Sequence, residues 1–260
     1  MSEPRGALFL FAHQDDEYAA APWIVEELER GPIACLFLTD GASRTPARVR
    51  DAESIAVLQS LGVPSDAIVF LHAVERQRIP DSALAARGHE ALEHVRHWLR
   101  DAKFDPARIY APAYEGGHPD HDAAHLVAAA VAGERGLVNE AWQFSLYHGC
   151  GALPPFFWSL KQLPSQQPAR APALSLGRRM AFAMLCWRYQ SQRRTWLGLF
   201  PGAFVSRVFG LERVVRFDPQ RLERRPHAGK LLYERLFGVP YERFENDVRP
   251  LRERLRDSTE

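Results

Sequence analysis

Continuous apolar runs alternate with segments of helical spacing along the first 150 residues of this 260-residue chain. Ala7-Leu-Phe-Leu-Phe-Ala12 and Ile33-Ala-Cys-Leu-Phe-Leu-Thr39 lack the in–out alternation of a half-exposed strand, so both predict strands buried on two faces. Between them Tyr18 to Arg30 has helical spacing and stops at Gly31-Pro32. Arg48 to Leu61 repeats the helical period and stops at Gly62; Ile68 to Leu71 is a short strand and Ala83 to Asp101 another helix. Arg108 to Ala111 is a strand, a helix follows from about Pro119 to Arg135, and Trp142 to Tyr147 adds a last strand. This order predicts an α/β fold: a mostly parallel sheet with right-handed crossovers and helices on both faces. After Cys150 the texture changes, with Pro154, Pro155, Pro164, Pro168 and Pro172 in close succession. Leu174 to Arg194 reads as one helix, and charged helical segments follow from Tyr233. We therefore expect a core over residues 1–150 and a covering helical and loop extension over 151–260, packed on the same domain.

Composition excludes several classes. The chain is 46% apolar and 25% charged, ordinary globular material, and its apolar Met180–Trp187 stretch is far too short to span a bilayer. Met1 to Gly6 leads straight into a strand pattern, without a separate signal peptide. Cys35, Cys150 and Cys186 are scattered and suggest neither a disulfide framework nor a thiolate metal site, so a reducing cytoplasm is the simplest location. No nucleic acid partner is indicated; a homo-oligomer and peripheral membrane contact stay open.

Two runs carry the chemistry: His13-Gln14-Asp15-Asp16-Glu17 and His118-Pro119-Asp120-His121. Each follows a predicted strand, and in open α/β sheets ligands bind beyond the carboxyl ends of strands. His13 and Asp16, three apart in a strand-to-helix turn, can point into one crevice as metal ligands, which leaves Asp15 beside the water. The plainer reading is an acidic turn capping the next helix. Pro119 suits the first turn of a helix, so His118 and His121 face the same way one turn apart. His121 is the natural third ligand of a two-histidine, one-aspartate set, with His118 reaching the substrate and Asp120 orienting an imidazole. His125 makes a His-x-x-x-His pair with His121, although a packed helix-face histidine is the more economical reading.

Together the two runs resemble the signature of the PIG-L/LmbE-like family of zinc-dependent N-deacetylases, over roughly residues 5 to 150. The resemblance implies a Rossmann-like fold, a Zn2+ ion (or another divalent metal) and removal of acetyl groups from N-acetylglucosamine-type sugars on varied carriers. It implies His13, Asp16 and His121 as metal ligands and Asp15 as general base. His118, partnered by Asp120, would polarise the carbonyl and protonate the leaving amine. Arg50 matches the family's substrate-binding arginine, and Asp81 the acidic residue that holds sugar hydroxyls. Two departures are present: Gln14 stands where proline is usual, and Gly116 where some members carry an oxyanion-stabilising tyrosine. Tyr114, four residues before His118, is the nearest substitute.

The alternatives are a metal-dependent amidase or esterase acting on a non-sugar molecule, and a sugar- or nucleotide-binding module without catalysis. The adjacent carboxylates Asp15 and Asp16, standing where a dinucleotide site needs glycines, weigh against the module. Two later segments are candidates for substrate contact. Arg225-Pro-His227-Ala-Gly-Lys230 could fold over the crevice through His227 and Lys230, although a surface turn of ordinary polar residues is the more economical reading. From Ala141 to Leu211 there are eight basic residues and no Asp or Glu, so the remainder carries a formal −7. That basic stretch, which includes Arg178, Arg179, Arg188, Arg193 and Arg194, suggests a phosphate- or lipid-linked sugar. The aromatic Phe156-Phe157-Trp158 run within it is apolar enough to touch acyl chains or sugar faces.

Overall fold

Strand β1 (Gly6–Phe11) is buried along its whole length, and its side chains divide between two cores by the two-residue period of a strand. Leu8 and Leu10 enter one core; Ala7, Phe9 and Phe11 enter the other. Strand β2 (Ile33–Phe37) divides likewise, with Ala34 and Leu36 on the first side and Cys35 and Phe37 on the second. The chain is seen here as a computed structural model that describes residues 5–75 and 77–257. Residues 1–4 and 258–260, part of the chain's opening and of the last charged segment read above, lie outside the described residues.

Strands β3 (Ile68–Phe70), β4 (Pro106–Pro112) and β5 (Ala141–Phe144) join β1 and β2 in the parallel order β3-β2-β1-β4-β5. Helix α1 (Glu17–Leu28) follows β1, and α2 (Ala47–Ser60) follows β2. A single turn, α3 (Leu71–Val74), precedes α4 (Leu84–Asp101), and α5 (Pro119–Glu134) follows β4. The winding reverses between β1 and β4, which are hydrogen-bonded neighbours. A crevice therefore opens beyond their carboxyl ends, and both polar runs lie there: His13 two residues after β1, His118 at the start of α5.

The chain beyond residue 145 covers this frame. Short strands β6 (Tyr147–His148) and β7 (Trp158–Ser159) form a separate antiparallel pair. Strands β8 (Ala169–Arg170) and β9 (Val214–Arg216) extend the main sheet antiparallel from β5. The segment read as one helix from Leu174 to Arg194 is instead α6 (Leu176–Ala183), two tight turns, and α7 (Arg193–Val208). Tyr189 breaks the continuity with ψ near 75°, outside the helical range. Glu53 of α2 ties this bend down by accepting from the Ser191 N–H at 2.8 Å and its hydroxyl at 2.6 Å. Two further turns, α8 (Pro219–Leu222) and α9 (Leu232–Leu236), lead to α10 (Tyr241–Asp257), which packs on α4 and α5.

Candidate active site

Asp16 anchors the first turn through one oxygen. Its Oδ2 accepts the backbone N–H groups of Ala12 and His13, both at 2.9 Å, which leaves Oδ1 facing His121 Nε2 at 3.0 Å. Burial opposes its charge, but His121, His13 and these N–H groups hold Asp16 below the usual carboxylate range. His121 Nε2 also lies 3.3 Å from His13 Nδ1. The opposite nitrogen of His13 is 3.0 Å from Asp120 Oδ2. A carboxylate there is only an acceptor, so it holds the proton on His13 Nε2 and leaves the Nδ1 lone pair for the crevice.

The donor set passes a simple test for a metal. His121 Nε2 is within 3.3 Å of His13 Nδ1 and 3.0 Å of Asp16 Oδ1, and these buried groups have the mixed nitrogen and oxygen character that a borderline divalent cation requires. Two overlapping groups bring one donor atom each within 4.8 Å of one another: His13 with His118 and His121, and His13 with Asp81 and Asp120. The first is weakened by a local contact. His118 caps α5, and its Nδ1 accepts the Asp120 backbone N–H at 3.1 Å. The proton of neutral His118 therefore sits on Nε2, and neither nitrogen has a lone pair to spare. Burial, with His13 and His121 adding to it, pushes this imidazole down to about 3.

Asp15 occupies the turn between the donors with φ of 100°, a left-handed conformation that a non-glycine residue adopts at a cost. Two contacts hold it there. Its N–H donates to Glu17 Oε2 at 2.9 Å, and its Oδ1 is 3.1 Å from Arg50 Nη2. Burial raises the Asp15 carboxyl to about 6 against the pull of Arg50. Arg50 itself is buried; it donates to Gly41 O at 2.7 Å and to Gln14 O, and stands 3.7 Å from Asp81. Gln14 turns away from the crevice and donates to Asp51 Oδ1 at 2.6 Å.

A cavity of about 650 Å³ opens over these groups. Asp15, Arg50, Asp81 and the three histidines line its floor, while Tyr147, Trp196, Leu199 and Phe237 contribute walls. Phe237 stands edge-on to His118 at 4.9 Å, and Tyr147 edge-on to His121 at 5.4 Å.

Known proteins resemble this chain in sequence and in fold. Residues 8–132 match the family model described as PIG-L: GlcNAc-PI de-N-acetylase. Over that stretch, a little under half of its length, the chain is similar to the PIG-L family. A curated relative, the 1D-myo-inositol 2-acetamido-2-deoxy-alpha-D-glucopyranoside deacetylase 2 of Catenulispora acidiphila, is 28% identical over 61% of this chain. The match spans 61% of that relative's own length. Among solved structures, teicoplanin deacetylase Orf2 in its zinc-inhibited form aligns with a TM-score of 0.56 at 18% identity, covering 82% of this chain and 99% of that one. A conserved protein from Thermus thermophilus aligns with a TM-score of 0.56 at 19% identity, covering 83% and 96%. At such identities the two structures attest the fold.

Within the matched stretch the structure brings His13, Asp15, Asp16, Arg50, Asp81, His118 and His121 to one cavity. It corrects three expectations. Asp120 gives its carboxylate to His13 rather than His118, because its other acceptor contacts, Ser82 N at 2.7 Å and Leu84 N at 3.1 Å, hold it beneath His13. Tyr114 does not line the cavity; its hydroxyl accepts from Arg252 of α10 at 2.9 Å. His227 and Lys230 are also absent from the lining, and His227 Nδ1 turns back on Ala228 O at 2.7 Å. His125 is structural: Nδ1 donates to Pro112 O at 2.8 Å, and its ring packs 4.1 Å from Phe217.

The basic stretch divides. Arg207 is fully buried and paired with Glu212 at 3.0 Å, and Arg170 pairs with Glu26 at 3.1 Å, so part of its charge is structural. Arg194 does line the cavity. Two supporting residues were given no role by the sequence. Tyr147 enters from β6, which no strand-end motif marks. Asp122 accepts the N–H groups of Glu115 and Gly116 at 3.0 and 3.1 Å and so shapes the loop before His118. Gly116 has φ of +75°, and a Cβ on Gly117 would stand 2.0 Å from Tyr147 O, so this loop needs both glycines.

Proposed function

We propose that the protein is a metal-dependent N-deacetylase that hydrolyses the acetamide of an N-acetylglucosamine-type sugar to acetate and a free amine. The observation that carries this reading is the division among the cavity's donors. Donor atoms of His13, Asp16 and His121 neighbour one another in the cavity, while Asp15 and the Nε2–H of His118 stand beside them as a base and a hydrogen-bond donor. A divalent cation held by the first three, zinc for this donor set, supplies the Lewis acidity that makes water a nucleophile near neutral pH.

The chain's own residues do the rest. Asp15 accepts the proton of the attacking water, and Arg50 holds its carboxylate toward the floor. His118, neutral at pH 7, donates a hydrogen bond from Nε2 to the carbonyl oxygen as negative charge grows there. The proton that Asp15 took from the water then passes to the departing nitrogen as the carbon–nitrogen bond breaks, while His118 keeps its own. Asp81, an acceptor kept anionic despite burial by His13, His118 and Arg50, suits the hydroxyls of a pyranose. An acetamido sugar is also what the curated relative's name describes for that protein. Arg44 and Arg194 line the same cavity and suit a phosphate on the sugar's carrier, be it a nucleotide or a lipid.

Incubation of the metal-loaded protein with a panel of free, phosphorylated and glycosidic N-acetylglucosamine compounds, scored by acetate release, tests the proposal. Metal-dependent acetate release from at least one acetamido sugar is expected. Hydrolysis of simple esters or non-sugar amides alone would overturn it.

A further inference from the structure

Helix α7 has two exposures. One side, through Thr195, Trp196, Leu199 and Ala203, walls the cavity. Another presents Leu197, Val205 and Phe209, spaced at four and eight residues and therefore on one stripe. These large apolar side chains are strongly exposed, Leu197 at 65% and Phe209 at 72%. Helix α6 packs beside α7 and carries a second stripe, Leu176, Met180 and Met184, again at four-residue spacing and exposed. Trp187 joins the two. It follows Met184 by three in a tight turn, and its ring lies 5.0 Å from Phe200, which follows Leu197 by three. Large apolar side chains exposed on two neighbouring helices in this way mark an interaction surface.

Charge identifies the occupant. The whole stretch from Ala141 to Leu211 contains no acidic residue. Arg178, Arg188 and Arg193 are exposed on it, and no ion pair holds them among the described residues. Aliphatic stripes interleaved with arginine are the pattern of an interfacial helix on an anionic bilayer. A nucleic acid would meet the arginines but not the aliphatic side chains. No helix among the described residues is long and apolar enough to cross a membrane, so contact of this kind is made in the surface plane.

We propose that the α6–α7 face docks on the surface of an anionic lipid bilayer, with the cavity mouth brought to headgroup level by the helix that forms its wall. Docking is independent of the reaction proposed above, so the test needs no turnover.

The full chain is mixed with vesicles of phosphatidylcholine alone, or of phosphatidylcholine with phosphatidylglycerol, and its partition is measured by flotation at low and high salt. Binding to the anionic vesicles, weakened by salt, is expected. Arg178→Ala and Arg188→Ala should each lower the partition roughly fivefold, the effect of one basic side chain near such a surface. Leu197→Asp with Phe209→Asp should abolish it while leaving the melting temperature and any acetate release from a soluble substrate unchanged, since neither residue lines the cavity. Absence of binding to anionic vesicles would overturn the proposal, as would binding that both variant sets leave intact. A concentration-dependent dimer that the Leu197→Asp, Phe209→Asp pair dissolves, without vesicle binding, would assign the face to a second copy of the chain instead.

Discussion

The Asp120 backbone N–H donates to His118 Nδ1 at 3.1 Å, and this contact fixes which nitrogen of His118 carries the proton. Because the Nδ1 lone pair is engaged, Nε2–H is the group His118 offers to the cavity. Removing the ring should cost turnover rather than metal. His118→Ala is expected to lower kcat by about 10²- to 10³-fold, the usual cost of losing one oxyanion donor, with a smaller change in KM. Steady-state kinetics on any accepted acetamido sugar check this. A normal kcat with stripped metal would make His118 a ligand.

The Asp120 carboxylate acts on the other side, through His13. Asp120→Asn removes the anionic acceptor that holds the His13 proton on Nε2, and so weakens the lone pair presented by Nδ1. Loss of such a partner typically lowers metal affinity by about 10- to 100-fold. Chelator competition on the purified variant measures the change, and unaltered affinity would mean that His13 is not a ligand through Nδ1.

Glu115 links the cavity's glycine loop to the strand that carries Tyr147. Its carboxylate accepts from Ser145 Oγ at 2.6 Å, Leu146 N at 2.7 Å and Tyr147 N at 2.9 Å, yet burial raises it to about 7. A folded-state value above the unfolded 4.5 means that the native chain binds the proton more tightly. Its contribution is most favourable below about pH 4.5 and is lost as pH rises toward about 7. Glu115→Gln should remove this slope. Urea midpoints at pH 5 and pH 8 should differ less in the variant than in the parent, by up to about 3 kcal/mol in derived stability. Identical slopes would mean that Glu115 is ionised throughout.

The sheet was legible because its strands are buried on both faces and read as unbroken apolar runs; the first and second strands agree with their runs to within two residues. The polar runs were legible because a crevice at a switch point collects whatever follows β1 and β4. What escaped depends on contacts distant in sequence. Asp120 was assigned to its neighbour His118, whereas the fold brings His13 to it across 107 positions. Tyr114 was offered to the substrate, but α10 supplies Arg252 to hold it, 138 positions away. The break at Tyr189 left no mark in the apolar spacing of Met180–Trp187, since it rests on Glu53 of α2 gripping Ser191.

The division between ligand and base is tested most directly by metal content and acetate release measured together on Asp15→Asn and His121→Ala. Asp15 touches Arg50 and Glu17 but is not one of the three proposed ligands, whereas His121 Nε2 lies within 3.3 Å of a donor atom of each of the other two. Full metal with turnover reduced by about 10²-fold or more is expected for Asp15→Asn, and loss of most bound metal for His121→Ala. Near-parental turnover in Asp15→Asn, or full metal in His121→Ala, would contradict the assignment.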